Sequence, residues 1–176
     1  MAAETVIDFM AANAFAAPWL AGLLAAAETT AFLSLLIPAT ALLMGVGAAV
    51  ATGALPFLPI WAGAAIGAVT GSTFSWWLGR RFGGRILGLW PLRDHPDLIL
   101  RGQQAFARWG AFAVLLGHFF GPLRSVVFLF AGLSGMGFWR FQTINVLGAV
   151  AWAFLIPKTG EWGGNALAWF WQFLGL

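Results

Sequence analysis

The sequence predicts an all-α polytopic membrane protein, and three observations carry that prediction. Hydrophobic residues make up 61% of the chain and charged ones only 9%, against about 25% charged in a soluble domain. Mean hydropathy is +0.86. Apolar runs approaching the length of a spanning helix, about 20 residues, recur along the chain, and 29–79 holds no charged residue at all.

Composition also excludes. Nine Lys+Arg against six Asp+Glu, net +3, are too few for a nucleic-acid surface. The chain has no cysteine, so disulfides, thiol nucleophiles and thiolate metal sites drop out. The start "MAAETVIDFM" is acidic and lacks the basic n-region of a cleavable signal peptide, so the first apolar run is expected to stay in the mature chain.

The elements follow in order as one domain over 1–176. The run 9–27 is the first crossing. The run 29–79 must fold back on itself, with Pro38 interrupting its first part and "GALPFLP" (53–59) separating off a second helix that ends at Gly79. An arginine-rich loop spans 80–108 between a first half, 9–79, and a second half, 109–176. Apolar runs resume at 109–117, 125–139, 141–157 and 162–176. Arg80, Arg81, Arg85, Arg93, Arg101 and Arg108 crowd the central loop, which the positive-inside bias places in the cytoplasm. The same loop suits anionic headgroups, although a topology signal alone accounts for it. The eleven tryptophans, among them Trp76, Trp77, Trp90, Trp109, Trp139 and Trp162, read mostly as interface anchors near helix ends.

Two organisations fit these runs. In one, the segments around Pro38 and around Gly121-Pro122 are re-entrant hairpins, leaving four crossings at 9–27, 57–79, 138–157 and 162–176. Both termini are then cytoplasmic, Lys158 alone is outside, and the hairpins enter from opposite faces as an inverted repeat, a common transporter build. A loose echo between "ETTAFLSLLIPATALLMGVGAAVATG" and "HFFGPLRSVVFLFAGLSGMG" agrees with this. In the other, six ordinary helices carry proline kinks.

Three polar groups at membrane depth need a reason: Glu28, His118 and Arg124. A charge near the bilayer centre costs about 2.5–3.5 kcal/mol on insertion scales, so it usually marks a site or pathway. Arg124 follows the Gly121-Pro122 break, where freed backbone groups are tolerated only inside protein or beside water. Its planar fork suits a phosphate; equally it suits a structural salt bridge to Glu28. Glu28 is either a carboxylate capping a hairpin at the interface or a proton carrier enclosed by apolar protein. His118 is either a relay partner or a hydrogen-bonded packing residue. Two histidines without a nearby acid argue against a metal. No serine, histidine and acid grouping suggests hydrolysis, so neither an enzyme nor a cofactor is expected.

At these residues the chain resembles the DedA family, the bacterial branch of the SNARE-associated or VTT-domain membrane proteins. Glu28 ahead of "IPATALLMGVG" matches the family's glutamate and proline turn. "GSTFSWWLGRRFG", with Gly71, Gly79, Arg80 and Gly83, matches G-D-x-x-x-Y-x-x-G-R-x-x-G. "HFFGPLR" matches R-F-x-P-G-x-R and is followed by Ala131-Gly132, and Asn145 and Trp152 match a later asparagine and tryptophan. Where the family carries a second acid, a first arginine, an aspartate and a tyrosine, this chain has Thr40, His118, Ser72 and Trp76.

The resemblance implies a multi-pass protein of the bacterial inner membrane with inverted re-entrant hairpins, translocating lipid phosphates, notably undecaprenyl phosphate or a related anionic phospholipid. Carried over, the substrate site is Arg124, His118, Glu28, Thr40, Gly121, Pro122, Pro38, Arg80 and Asn145. The expected partners are the lipid substrate and membrane lipids, with protons as a coupling ion and self-association into a homo-oligomer left open. The competing function is a proton- or cation-coupled transporter of small solutes with Glu28 as carrier. A fixed Arg124 charge separates the two, since it repels a cation and attracts a phosphate.

Overall fold

The computed structural model describes residues 7, 9–10, 12–31, 33–35, 39–88, 92–94, 96–121 and 124–173. Among the described residues, six helices are delimited: α1 (Ala17–Thr29), α2 (Ala39–Ala51), α3 (Phe57–Leu87), α4 (Pro96–Gly117), α5 (Arg124–Leu133) and α6 (Phe138–Phe173). Short 3-10 turns lie at Leu33–Leu35 and Leu92–Asp94, and no strand occurs among the described residues. Two segments, Phe57–Arg85 and Phe138–Gly163, are long and apolar enough to cross a membrane.

The helices form two triplets of the same plan, α1–α2–α3 and α4–α5–α6. The first helix of each packs on its own long helix, α1 on α3 and α4 on α6. The second packs on the long helix of the other triplet, α2 on α6 and α5 on α3. The long helices pair antiparallel at the centre. Phe57 meets Phe154 edge-on at 5.5 Å, Trp61 Nε1 donates to the Val150 carbonyl at 3.2 Å, and Trp76 stacks on Phe141 at 5.7 Å. One apolar core gathers Met10, Leu43, Ile60 and Trp152 at one end of this pair, and another gathers Trp76, Val114, Phe128 and Phe141 at the other.

Glycine sets the spacing of these packings. Gly63, Gly67 and Gly71 recur every four residues on one face of α3 and meet Pro18, Gly22 and Ala26 of α1. A Cβ at any of the three would collide with a carbonyl of α1. Gly79 and Gly132 bring α3 against α5 in the same way, and Gly47 and Gly160 bring α2 against α6. In lipid, where apolar side chains gain nothing by leaving one apolar medium for another, such close approach is a main source of helix adhesion.

Three expectations need correction. The first crossing is not one helix over 9–27: a turn at residues 13–16 precedes α1, which starts with Pro18 in its first turn, where a missing N–H costs nothing. Most of 80–108 is helix, because α3 runs to Leu87 and α4 starts at Pro96; the arginines decorate helix ends more than a loop. The separate runs 138–157 and 162–176 belong to one helix, α6, which passes through Pro157. Lys158 Nζ and Glu161 Oε2 pair at 2.6 Å one turn apart, so the charges that suggested a turn neutralise each other on the helix. A cytoplasmic C terminus rested on that turn.

The interruptions expected around Pro38 and Gly121-Pro122 fall between helices, from Thr29 to Ala39 and from Gly117 to Arg124, while Pro38 and Pro122 themselves lie outside the described residues. The first break is sealed from α3. Ser75 Oγ donates to the Thr29 carbonyl and accepts the Ala31 N–H, each at 2.8 Å. Thr29 and Thr30 turn their hydroxyls back to the Ala25 and Ala26 carbonyls, each at 2.7 Å. Freed backbone groups at depth are thereby paired within the protein.

If backbone approach holds the helices together, Gly67→Val is expected to lower stability by about 1–3 kcal/mol or more through overpacking. Gly84, which faces open space, is expected to accept alanine with equal or higher Tm. Thermal unfolding of both variants in one detergent checks the contrast; equal Tm values would refute it.

Candidate functional site

Between the two apolar cores lies a buried polar layer. Arg124 opens α5 directly after the second break and is fully buried, and Glu28 near the end of α1 is 3% exposed. They form an ion pair through Arg124 Nη2 and Glu28 Oε1. Thr40, in the first turn of α2, joins them: it accepts from Arg124 Nη2 at 2.8 Å and donates to Glu28 Oε1. The guanidinium carbon lies 4.2 Å from the Trp152 ring centroid on α6, a cation–π contact strengthened by desolvation. One side chain from each of α1, α2, α5 and α6 therefore meets at a single charge.

The pairing leaves donors and acceptors over. Arg124 Nε and Nη1, Glu28 Oε2 and His118 Nε2 are buried with no hydrogen-bond partner among the described residues. A buried polar atom left unpaired costs about 1–3 kcal/mol, and four of them in one layer point to a site that a ligand or solvent completes. His118 stacks near Phe128 at 4.7 Å and sits against Gly148. Its Nδ1 lies 3.2 Å from the Val114 carbonyl, so Nδ1 is the donor there. Nε2 is then a lone pair on the neutral ring and an N–H donor on the cation.

Most of the residues proposed from sequence converge here. Glu28, Thr40 and Arg124 touch, and His118 lies within electrostatic range of Arg124 and beside Asn145. Asn145 also spans the long-helix pair, its Oδ1 accepting from Ser72 Oγ at 2.7 Å, and its Nδ2 donates to Gln142 Oε1 on its own helix at 2.9 Å. Gly121 has φ +53°, the left-handed region that glycine enters without strain, at the break that delivers Arg124. Pro38 and Pro122 lie outside the described residues.

Arg80 is elsewhere. It sits 5.7 Å from the Trp76 ring and near Gly135, exposed, toward the opposite end of α5. Glu28 is 3% exposed, so its carboxylate is enclosed by protein. Trp76 is no interface anchor, being 7% exposed and donating through Nε1 to the Met136 carbonyl at 3.1 Å.

Sequence reading missed the part played by Trp152 beneath the guanidinium. One tryptophan among eleven carries no local sign of it; only its place in the middle of an apolar run, away from the interfaces, distinguishes it. The Ser34–Ser125 hydroxyl contact at 2.7 Å, which ties the first break to the start of α5, was also missed. Among the described residues no group of three or more His, Cys, Asp or Glu could hold a metal ion.

Comparison with known proteins finds membrane-protein relatives. Residues 37–161 match the VTT domain. The chain is 34% identical over 131 residues to the inner membrane protein YabI of Escherichia coli, covering 74% of this chain and 51% of that protein. It is 32% identical over 129 residues to the inner membrane protein YohD of the same organism, covering 73% and 66%. An uncharacterized membrane protein of Buchnera aphidicola is 26% identical over 141 residues, covering 80% and 55%. The chain thus spans about half the length of several of these relatives. No solved structure matches it.

Removing one partner of the buried pair strands the other, at about 3–5 kcal/mol. Arg124→Gln is therefore expected to lower Tm strongly, and the double variant Glu28→Gln/Arg124→Gln to recover much of the loss. A double variant no more stable than Arg124→Gln in a thermal melt would deny the pair its structural role.

Proposed function

Because the chain belongs to the VTT-domain, or DedA, family of membrane proteins, we propose that it translocates lipid phosphates across the bilayer, with the headgroup phosphate bound at Arg124. One observation carries this reading: a fully buried guanidinium with two donors, Nε and Nη1, unpartnered among the described residues, beside a backbone break. A fixed cation of this kind attracts a phosphate, and its planar fork adds directional donors.

Glu28 competes with the lipid for Arg124. While the carboxylate holds Nη2, the pair is neutral and closed. Protonating Glu28, or displacing it by a phosphate, turns Nη2 back toward the substrate. Thr40 follows either partner because its hydroxyl both donates and accepts. Cationic His118 adds a second donor through Nε2. The prenyl or acyl tail stays in lipid, so only the headgroup needs a polar path. Undecaprenyl phosphate or a related anionic phospholipid is the substrate class. A cation carrier built on Glu28 fits less well, since Arg124 occupies the carboxylate and repels a cation.

The two triplets with exchanged second helices are the reason to favour an inverted repeat, with both breaks as re-entrant turns that open the site to either face. We place the arginine-bearing ends of α3 and α4 in the cytoplasm of an inner-membrane protein. Because α6 runs unbroken and antiparallel to α3 from Arg140 onward, Trp162 lies on the outer side. Cysteines introduced at Asp94 and at Trp162 are expected to label from the inside and the outside respectively; the reverse pattern, or labelling of both from one side, would overturn this orientation.

Transport is tested in liposomes containing a fluorescent prenyl phosphate, by dithionite quenching of the outer leaflet. Arg124→Lys keeps the charge but not the fork and is expected to slow flipping by at least about tenfold, the effect of about 1.4 kcal/mol. Glu28→Gln leaves the guanidinium without its competitor and is expected to bind the lipid more tightly. Normal flipping by Arg124→Lys at normal expression would sink the proposal.

A further inference from the structure

A second cavity, of about 650 Å³, lies outside the buried pair, between α4 and the turn joining α5 to α6. Gln103, Gly110, Gly135, Gly137 and Arg140 contribute to its walls. Two of these glycines have positive φ, +46° at Gly110 and +78° at Gly135. The first kinks α4 open, and the second turns the chain from α5 into α6.

An arginine lies beside each glycine. A Cβ on Gly110 would stand 3.8 Å from Arg140 Nη2, and one on Gly135 would stand 3.9 Å from Arg80 Nη1. Neither arginine forms an ion pair among the described residues, where the salt bridges are Arg124–Glu28 and Lys158–Glu161. Arg80 rests on Trp76, which orients the guanidinium without neutralising it. Trp109, next to Gly110 in the chain, is 53% exposed and Trp139, next to Arg140, is 79% exposed, the amphipathic side chains that settle at headgroup level. A roomy cavity lined by Arg140, with Arg80 beside its Gly135 wall and neither guanidinium ion-paired among the described residues, is suited to a phosphate that enters from the membrane surface.

We propose that this cavity is a second anion site, in which Arg80 and Arg140 hold a phosphate group separately from Arg124. Leu133, in the cavity wall, is nine residues along α5 from Arg124, about 13 Å at 1.5 Å per residue, so one phosphate cannot occupy both. The site does not depend on the transport reading. Its ligand is a phosphate monoester headgroup or free phosphate, chemistry that both sources share.

The experiment is native mass spectrometry of the full chain in detergent, titrated with dioctanoyl phosphatidic acid, dioctanoyl phosphatidylcholine or inorganic phosphate. Phosphatidic acid is expected to be retained in preference to phosphatidylcholine. In the Glu28→Gln/Arg124→Gln background, which removes the buried site, Arg80→Gln/Arg140→Gln is expected to weaken it by at least about tenfold, and the single Arg140→Gln to weaken it less. The Glu28→Gln/Arg124→Gln variant is expected to keep this binding, which separates the cavity from the transport site. Phosphatidic acid bound at least tenfold more tightly than inorganic phosphate assigns the site to a lipid headgroup; comparable affinities assign it to free phosphate. Equal retention of phosphatidic acid and phosphatidylcholine, or unchanged phosphatidic acid affinity in the double arginine variant at unchanged Tm, would overturn the proposal.

Discussion

The rest of the structure depends on keeping one guanidinium, that of Arg124, inside a protein that has almost no other charge to spare. Burying an unpaired ion costs several kcal/mol, a large part of a domain's whole stability. Everything around Arg124 reduces that cost: the Glu28 carboxylate from α1, the Thr40 hydroxyl from α2 and the Trp152 ring from α6. Each comes from a different helix, so the charge acts as a registry point. Moving any of these helices by a turn, about 5.4 Å, would take its contribution away. Among the described residues the pairing is nevertheless incomplete, since Arg124 Nε and Nη1 and Glu28 Oε2 have no partner there.

The helices can converge on one charge because glycine lets their backbones touch. The stripe Gly63, Gly67 and Gly71 fixes α1 on α3, which sets where Glu28 stands. Gly79 and Gly132 fix α5 on α3, which sets where Arg124 starts. Ser75 then closes the end of α1 by pairing the Thr29 carbonyl and the Ala31 N–H. Small residues and hydroxyls on α3 thus position a site to which α3 lends no charge. The exchange of second helices between triplets has the same consequence, since each second helix is seated against the long helix of the other half.

Arg124 and Arg80 show how position separates two chemically identical groups. Both lie in segments that match family motifs, and on sequence alone both belong to one site. In the fold, Arg124 is enclosed and paired while Arg80 is exposed, rests on Trp76 and lies near Gly135, a residue of the second cavity's wall. A motif conveys which residue types recur and at what spacing; it carries no information on which cavity each one enters.

Sequence alone was enough for what depends on composition and local chemistry. Low charge and long apolar runs determine a helical membrane protein, because lipid leaves the backbone no partner but itself. Proline and glycine signal where helices break, and the stretches between Thr29 and Ala39 and between Gly117 and Arg124 contain Pro38 and the Gly121-Pro122 pair. An isolated Glu28 and Arg124 in apolar surroundings could be picked out as a site, since charge at depth needs a reason. Only tertiary structure decided the rest. Whether Pro157 ends a helix depends on what packs against it, and here α6 continues with Gly47 of α2 held against the Pro157 carbonyl. That Trp152 lies under the guanidinium, that Asn145 spans to Ser72, and that Arg80 leaves the site are contacts between residues far apart in the chain. No local preference encodes them, because they are set by how closely glycine-faced helices approach and in which register they lock.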